Sequence, residues 1–227
     1  MKYQQEKITA DLFTTWSQSE RGEGMARGHD ELLNPLFQQW EFGAESNVLD
    51  IGCGVGGALK RANQNGANKL AGIDLSPGMI EAARNNLPEN ASLEVGSAMA
   101  LPWSNDFFSH ALSVEALYYL QEPLLALKEI IRVLKSKGEF AMIIEFYQEN
   151  QGTHDWANQL PMELKLWSEK EWVNAFEEAG FQNVKTKRII REKFKSQEEF
   201  IPSTYYPDYS NYLDYIKEGA LWVHGVK

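Results

Sequence analysis

The chain has 227 residues, 43% of them hydrophobic and 24% charged. That length carries one full core, and the composition excludes a disordered or fibrous chain. The formal net charge of −10 argues against nucleic acid as a partner, because phosphate recognition needs a basic footprint.

In chain order, Trp16–His29 holds Gly22, Gly24 and Gly28, a composition that predicts a mobile cap rather than a stable helix. Glu31–Phe42 is expected as a helix, with Leu32, Leu33, Leu36, Phe37 and Trp40 on one face. Asn47–Ile51 reads as the first strand, followed by a glycine-rich turn and a helix over Gly57–Gln64. Lys69–Asp74 is the second strand, and Ser76-Pro77 starts a helix with Ser as N-cap and Pro at the first position. Ala91–Val95 and Phe107–Val114 are the third and fourth strands. Pro123–Leu134 is an amphipathic helix, and Lys137-Gly138 turns into a fifth strand, Glu139–Phe146. Asp155–Leu166 reads as a helical insert. Ser168 with Glu171 is a capping-box pattern opening a helix that ends at Gly180. Phe181–Ile190 and Ala220–Val226 are the last two strands, expected as an antiparallel hairpin. The alternation of strands and helices implies an α/β fold with a mostly parallel sheet.

The apolar runs, such as Phe140–Ile144, are strand-length and far short of a membrane span. The start shows no basic-then-apolar leader, so a cytoplasmic location is expected. The single cysteine, Cys53, excludes an intramolecular disulfide and a cysteine-rich metal site. The histidines His29, His110, His154 and His224 lack ligand spacing, so no metal is expected. The basic stretch Lys185, Lys187, Arg188, Arg191, Lys193 and Lys195 reads as the exposed face of a strand and turn.

The strongest chemical signal is Val48–Gly57. Gly52 and Gly54 let the backbone turn tightly and approach a ligand with no Cβ in the way. The turn opens a helix whose N-terminal amides favour negative charge. Asp74 lies 20 residues beyond Gly54, at a strand end where a carboxylate accepts from ribose hydroxyls. Together these indicate an adenosine-containing cofactor. Gly52, Gly54 and Gly57 also satisfy the dinucleotide pattern, so an NAD-dependent oxidoreductase is the alternative. Asp50 weighs against it, because a pyrophosphate there would face a carboxylate, whereas the ammonium and sulfonium of S-adenosylmethionine (SAM) would be attracted.

Asp50-Ile51-Gly52-Cys53-Gly54 resembles motif I of class I SAM-dependent methyltransferases. Gly72–Ser76, Gly96–Trp103 and Ser113–Leu120 resemble the later motifs, and Ala179-Gly180-Phe181 fits as well. The resemblance covers Asn47–Lys227 and is close to the small-molecule branch that includes quinone and sterol methyltransferase-like proteins. It implies a Rossmann-like, seven-stranded, mostly parallel sheet in the order 3-2-1-4-5-7-6, with helices on both faces and a C-terminal antiparallel hairpin. One methyltransferase domain would span residues 1–227, with 1–43 an N-terminal helical lid and 147–167 and 195–219 variable acceptor-side inserts. The implied function is methylation of a small-molecule acceptor; a SAM-binding protein without transferase activity has the same cofactor motif.

The resemblance also assigns roles. Asp50, Gly52, Cys53 and Gly54 would line the methionine part of SAM, Asp74 would hold the ribose, and Leu75 and Met79 would pack near the adenine. Ser97 and Ala98, with Met99 in the same stretch, would reach the adenine edge; the family often has Asp at the Ser97 position, and a serine hydroxyl accepts more weakly. Arg27 in the lid would meet the SAM carboxylate. Methyl transfer from a sulfonium relies largely on alignment, and a hydroxyl acceptor adds a general base. Candidate bases are Glu23, His29, Glu115, Glu145 and His154, with Glu115 also a cofactor contact; His110 and His224 lie within strands and read as structural. Tyr118, Tyr119 and the tyrosine-rich segment Phe200–Tyr215 are candidates for the acceptor wall, the last with a self-packed loop as the plainer reading. Oligomeric state is unknown from sequence.

Overall fold

Asn47–Ile51 (β1) is buried at all five positions, as expected of a parallel strand covered on both faces. In the computed structural model, which describes residues 4–43 and 45–227, β1 lies at the centre of a seven-stranded sheet ordered β3-β2-β1-β4-β5-β7-β6. Its other strands are β2 (Lys69–Asp74), β3 (Ser92–Val95), β4 (Phe108–Val114), β5 (Leu134–Ile144), β6 (Gln182–Ile189) and β7 (Ala220–Val226). Strands β3 to β5 in that order pair in parallel, and β7 is antiparallel to both β5 and β6. The mostly parallel sheet with a terminal antiparallel hairpin is therefore as expected.

Alternating residues divide the core. Leu49 and Ile51 of β1 pack with α6 (Pro123–Val133) and α7 (Glu169–Ala179) on one face. Val48 packs with α3 (Asn34–Gln39), α4 (Gly57–Gln64) and α5 (Pro77–Asn86) on the other. Parallel strands all present their C-terminal ends at the same edge, so Asp50, Asp74, Glu115 and Glu145 gather there; Asp50 is level with Gly72 and Leu112, and Val114 with Ile143.

Four segments depart from the expectations. Trp16–His29 is not a glycine-loosened cap: α1 (Gln4–Ser17) and α2 (Glu20–His29) are helices. Ser19 caps α2 by accepting from the Arg21 N–H, and Gly22 is buried where a Cβ would meet Val55 at 3.3 Å. Close packing outweighs the weak glycine propensity. The helix expected over Glu31–Phe42 is a tight turn, Glu31–Leu33, followed by α3, because Pro35 cannot continue a helix through its missing N–H. The Asp155–Leu166 insert is a run of tight turns over Gln151–Gln159 instead of an α-helix. Within the later insert, Tyr209–Glu218 forms α8, capped by Asp208. The capping box of α7 is present as expected, with Gly180 in the left-handed conformation at its end.

Candidate active site

The turn after β1 is built on positive backbone angles. Gly52 has φ +73° and Gly54 φ +50°, conformations glycine adopts without strain. The N–H groups of Gly52 and Cys53 donate to the Ile73 carbonyl, at 2.8 and 3.1 Å, and tie the turn to β2. A Cβ on Gly52 would overlap that of Ala116. At the end of β2, Asp74 accepts from the Gly54 N–H at 3.0 Å and from the Ser76 N–H at 2.8 Å, which locks β2, the turn and the start of α5 together.

Asp50 differs from Asp74. It is 3% exposed, lines the cavity, and receives no hydrogen bond or cation from the described residues. Burial, aided by the nearby Asp74, pushes its pKa up to about 8. Burial also raises Asp74, against the pull of the Ser76 and Gly54 N–H groups. Burial and the two aspartates raise the Cys53 thiol as well, so it is not an activated nucleophile.

These groups open into a cavity of ≈ 630 Å³, within the range of small-molecule sites. Its far side holds the ends of β4 and β5. Glu115 follows β4 with φ +54°, an uncommon conformation for a non-glycine residue. Its N–H donates to the Ile143 carbonyl at 2.9 Å. Its carboxylate accepts from the Tyr118 hydroxyl at 2.6 Å and from the Glu145 N–H. Burial and the Glu145 charge push the Glu115 pKa up to about 8. Glu145 accepts at Oε1 from the Tyr215 hydroxyl at 2.6 Å and from Arg191 Nη2 at 2.8 Å. Burial lowers the His29 pKa, and its ring makes no hydrogen bond to the described residues.

Of the expected cofactor contacts and candidate bases, Asp50, Gly52, Cys53, Gly54, Asp74, Leu75, Met79, Ala98, His29, Glu115 and Glu145 all line this cavity, as do Tyr118 and Tyr119. The others do not. Arg27 and Glu23 pair with each other at 3.4 Å, both about two-thirds exposed (68% and 67%), because the helical geometry of α2 sets them one turn apart on its outer face. Ser97 is turned toward the Glu6 carboxylate and accepts from the Met99 N–H, and Met99 packs against the core. His154 is on a tight turn against the Gln148 carbonyl. His110 and His224 bond Ser109 and Glu139 within the sheet, as expected of structural residues. His29, Glu115 and Glu145 place one donor atom each within 4.8 Å of one another, a grouping of which the histidine spacing gives no sign.

Other residues are not legible in sequence. Arg191, expected on an exposed basic face, is instead buried against Glu145 with a side chain 16% exposed, and Arg188 pairs with Glu169 and Glu218. Trp16 and Arg21 close one wall: the Arg21 guanidinium sits 3.8 Å from the Trp16 ring and meets the Tyr205 hydroxyl. Tyr205 and Tyr206 line the cavity, whereas Tyr209 and Tyr212 pack on Phe200. The tyrosine-rich segment is thus cavity wall in one part and self-packed in the other.

Residues 49–142 match the family model described as "Methyltransferase domain". The methyltransferase of a Haloferax volcanii complex with the Trm112 activator superposes with a TM-score of 0.87 at 28% identity, over 94% of this chain and 96% of that one. Residues 49–142 are thus a methyltransferase domain, and the seven-stranded sheet around them is the fold of the class I SAM-dependent methyltransferases. The 2-methyl-6-phytyl-1,4-hydroquinone methyltransferase 1 of Oryza sativa subsp. japonica is 31% identical over 63% of this chain and 43% of its own. Methyltransferase GfsG of Streptomyces halstedii is 27% identical over 56% of this chain and 48% of its own. The chain thus spans about half the length of the curated relatives it matches (48% and 37% of the first two). A SAM-dependent methyltransferase from Thermotoga maritima, 18% identical with a TM-score of 0.70, shares the fold. SAM is the cofactor, which sets aside the oxidoreductase alternative. The buried Asp50 carboxylate, which receives no hydrogen bond or cation from the described residues, fits a ligand that carries an ammonium group, as SAM does. None of the described helices is long and apolar enough to cross a membrane.

Proposed function

We propose that this methyltransferase moves the SAM methyl group to a small-molecule acceptor by in-line displacement at the methyl carbon. The observation that carries the reading is the continuity of the cavity: Asp50 and Asp74 at one side and Glu115, Tyr118, Glu145 and Tyr206 at the other line the same space. When bound, SAM supplies a methyl already activated by the sulfonium. In this reading Asp50 holds the ammonium, Asp74 the ribose, and Leu75, Met79 and Ala98 the adenine. The protein's task is then to align the acceptor and exclude water. Phe13, Trp16 and the Arg21–Tyr205 contact would cover the site. His29, kept neutral by burial, is the proposed proton acceptor, with Glu115 and Glu145 orienting the acceptor.

Calorimetric titration with SAM, S-adenosylhomocysteine and NAD, repeated with Asp74→Ala, tests the cofactor half. Micromolar binding of the SAM-type ligands, lost in the variant, is expected; binding of NAD alone would sink the reading. The likeness to a methyltransferase complexed with Trm112 supports a second proposal, that this chain takes an activator of the same kind. Co-expression with Trm112 and gel filtration would give a joint peak if so and separate peaks if not.

A further inference from the structure

The acceptor side of the cavity has a charge pattern that selects among small molecules. Glu145 is nearly inaccessible, with a side chain 5% exposed. All three of its donors, Arg191 Nη2 at 2.8 Å, Arg191 Nε at 3.2 Å and the Tyr215 hydroxyl at 2.6 Å, meet Oε1. Its other oxygen, Oε2, receives no hydrogen bond from the described residues, although the carboxylate lines the cavity. The nearby Glu115 carboxylate has Tyr118 and a backbone N–H but no cation. Two carboxylates thus share one arginine, and the neutral His29 adds no charge. Arg191 lies behind the cavity wall, and the arginine that lines the cavity, Arg21, is held on Trp16 and Tyr205. Glu115, its pKa raised to about 8 by burial and the Glu145 charge, is ionised when a cation joins it, and with both glutamates ionised the pocket is one positive charge short.

The remaining walls are apolar, with aromatic rings beside aliphatic side chains such as Leu160 and Leu164. Tyr118 and Tyr119 lie 4.6 Å apart between ring centres, and Trp156 and Tyr206 6.0 Å; all four line the cavity. Aromatic faces attract a desolvated cation but offer no ligand atom to a metal. A divalent ion would find a nitrogen and two carboxylates in reach and would draw the rest of its shell from water. An ammonium group needs less: a few N–H acceptors, a balancing negative charge and an apolar surround.

We propose that the acceptor is an amine that enters as its ammonium form, donating to Oε2 of Glu145 and set against Glu115, with its carbon frame on Tyr118, Tyr119, Trp156 and Tyr206. This rests on the methyl-transfer reading. The ammonium gives one proton to the His29 imidazole and so frees the nitrogen lone pair. The nitrogen–carbon bond then forms as the carbon–sulfur bond breaks, and the bonding pair stays on sulfur. The products are the N-methylammonium and S-adenosylhomocysteine, and His29 returns its proton to water.

The test uses the protein saturated with S-adenosylhomocysteine, titrated with phenethylamine, tryptamine and cyclohexylmethylamine, each beside the alcohol of the same frame. At least one amine is expected to bind more than tenfold tighter than its alcohol, and to be methylated on nitrogen with SAM. Glu145→Gln and Glu115→Gln should each reduce that preference to less than threefold while S-adenosylhomocysteine affinity stays within twofold, which also shows that the variants fold. Equal binding of amines and alcohols, or a preference unchanged in both variants, overturns the proposal. So does stabilisation by Mg²⁺ or Mn²⁺ that Glu145→Gln abolishes without any amine effect, since the cluster would then be a cation site. Loss of S-adenosylhomocysteine binding in the unmodified protein would instead defeat the underlying methyltransferase reading.

Discussion

Arg191 and Glu145 form an ion pair at 2.8 Å, with side chains only 16% and 5% exposed. The same guanidinium donates from Nη1 to the Gly28 carbonyl at 2.7 Å. One side chain therefore joins the segment after β6, the end of β5 and the last turn of α2, whose carbonyls would otherwise lack donors.

Removing one partner of a buried pair strands the other charge, which costs about 3 kcal/mol or more. Arg191→Ala is expected to lower unfolding stability by roughly that amount. It should also speed amide exchange in Glu20–His29, since α2 loses its tie. The double variant Arg191→Met with Glu145→Gln should recover much of the stability in urea melts, because no unpaired charge is left. A single-variant loss below about 0.5 kcal/mol would show that the pair behaves as a surface contact.

Gly52→Ala confronts two obstacles at one position. The φ of +73° is left-handed, which costs a residue with a Cβ about 1–2 kcal/mol, and the added carbon overlaps the Ala116 Cβ. A fall in stability of about 2–4 kcal/mol is expected, with loss of S-adenosylhomocysteine binding, measured by thermal melting and calorimetry. Retained binding would mean that the turn relaxes without disturbing the cofactor site.

Asp50 gives a pH signature. Its pKa is raised from 3.8 to about 8, first by burial and then by Asp74. For a carboxyl with a raised folded pKa, stability is fully present below the unfolded value and is lost as pH climbs through the folded one. The ligand-free protein should therefore lose stability between pH 4 and pH 8, and Asp50→Asn should flatten that slope. Because a cationic ligand selects the ionised carboxylate, SAM binding should release a proton near neutral pH and tighten as pH rises toward 8. Calorimetry in buffers of different ionisation enthalpy reads this directly; equal proton release by Asp50→Asn would place the linkage elsewhere.

Ser168→Ala isolates a structural element from the chemistry. Ser168 caps α7, and Glu171 returns the bond to the cap N–H at 2.8 Å. Loss of the cap should cost about 1 kcal/mol, seen in denaturant midpoints, with cofactor affinity unchanged. A change in affinity would couple α7 to the site, which none of its contacts with the sheet implies.

Much of the molecule is legible in the order of its residues. The strands from Asn47 to Ile144, the glycine turn, the Ser76 and Ser168 caps and the Asp50–Asp74 pair all rest on local rules of periodicity, capping and backbone freedom that act within a few residues. The helix over Glu20–His29 is not, since its glycines disfavour helix locally and packing against Val55 and its neighbours reverses that preference. Arg191 is illegible for a related reason: a basic run has the look of a solvated face until a buried Glu145 from another strand is set beside it.

The far side of the cavity, where we place the acceptor, is decided by tertiary structure alone. His29, Glu115, Glu145 and Arg191 come from a helix end, two strand ends and a loop, and nothing in their spacing brings them together. Their convergence follows from the order of strands in the sheet, and their protonation from burial, which raises Glu115 and lowers His29. Sequence determines where the cofactor turn is, because that turn is built from neighbouring residues with special backbone needs. Only the folded chain determines what charge the acceptor meets, because that charge is a sum over residues far apart in sequence and held together out of water.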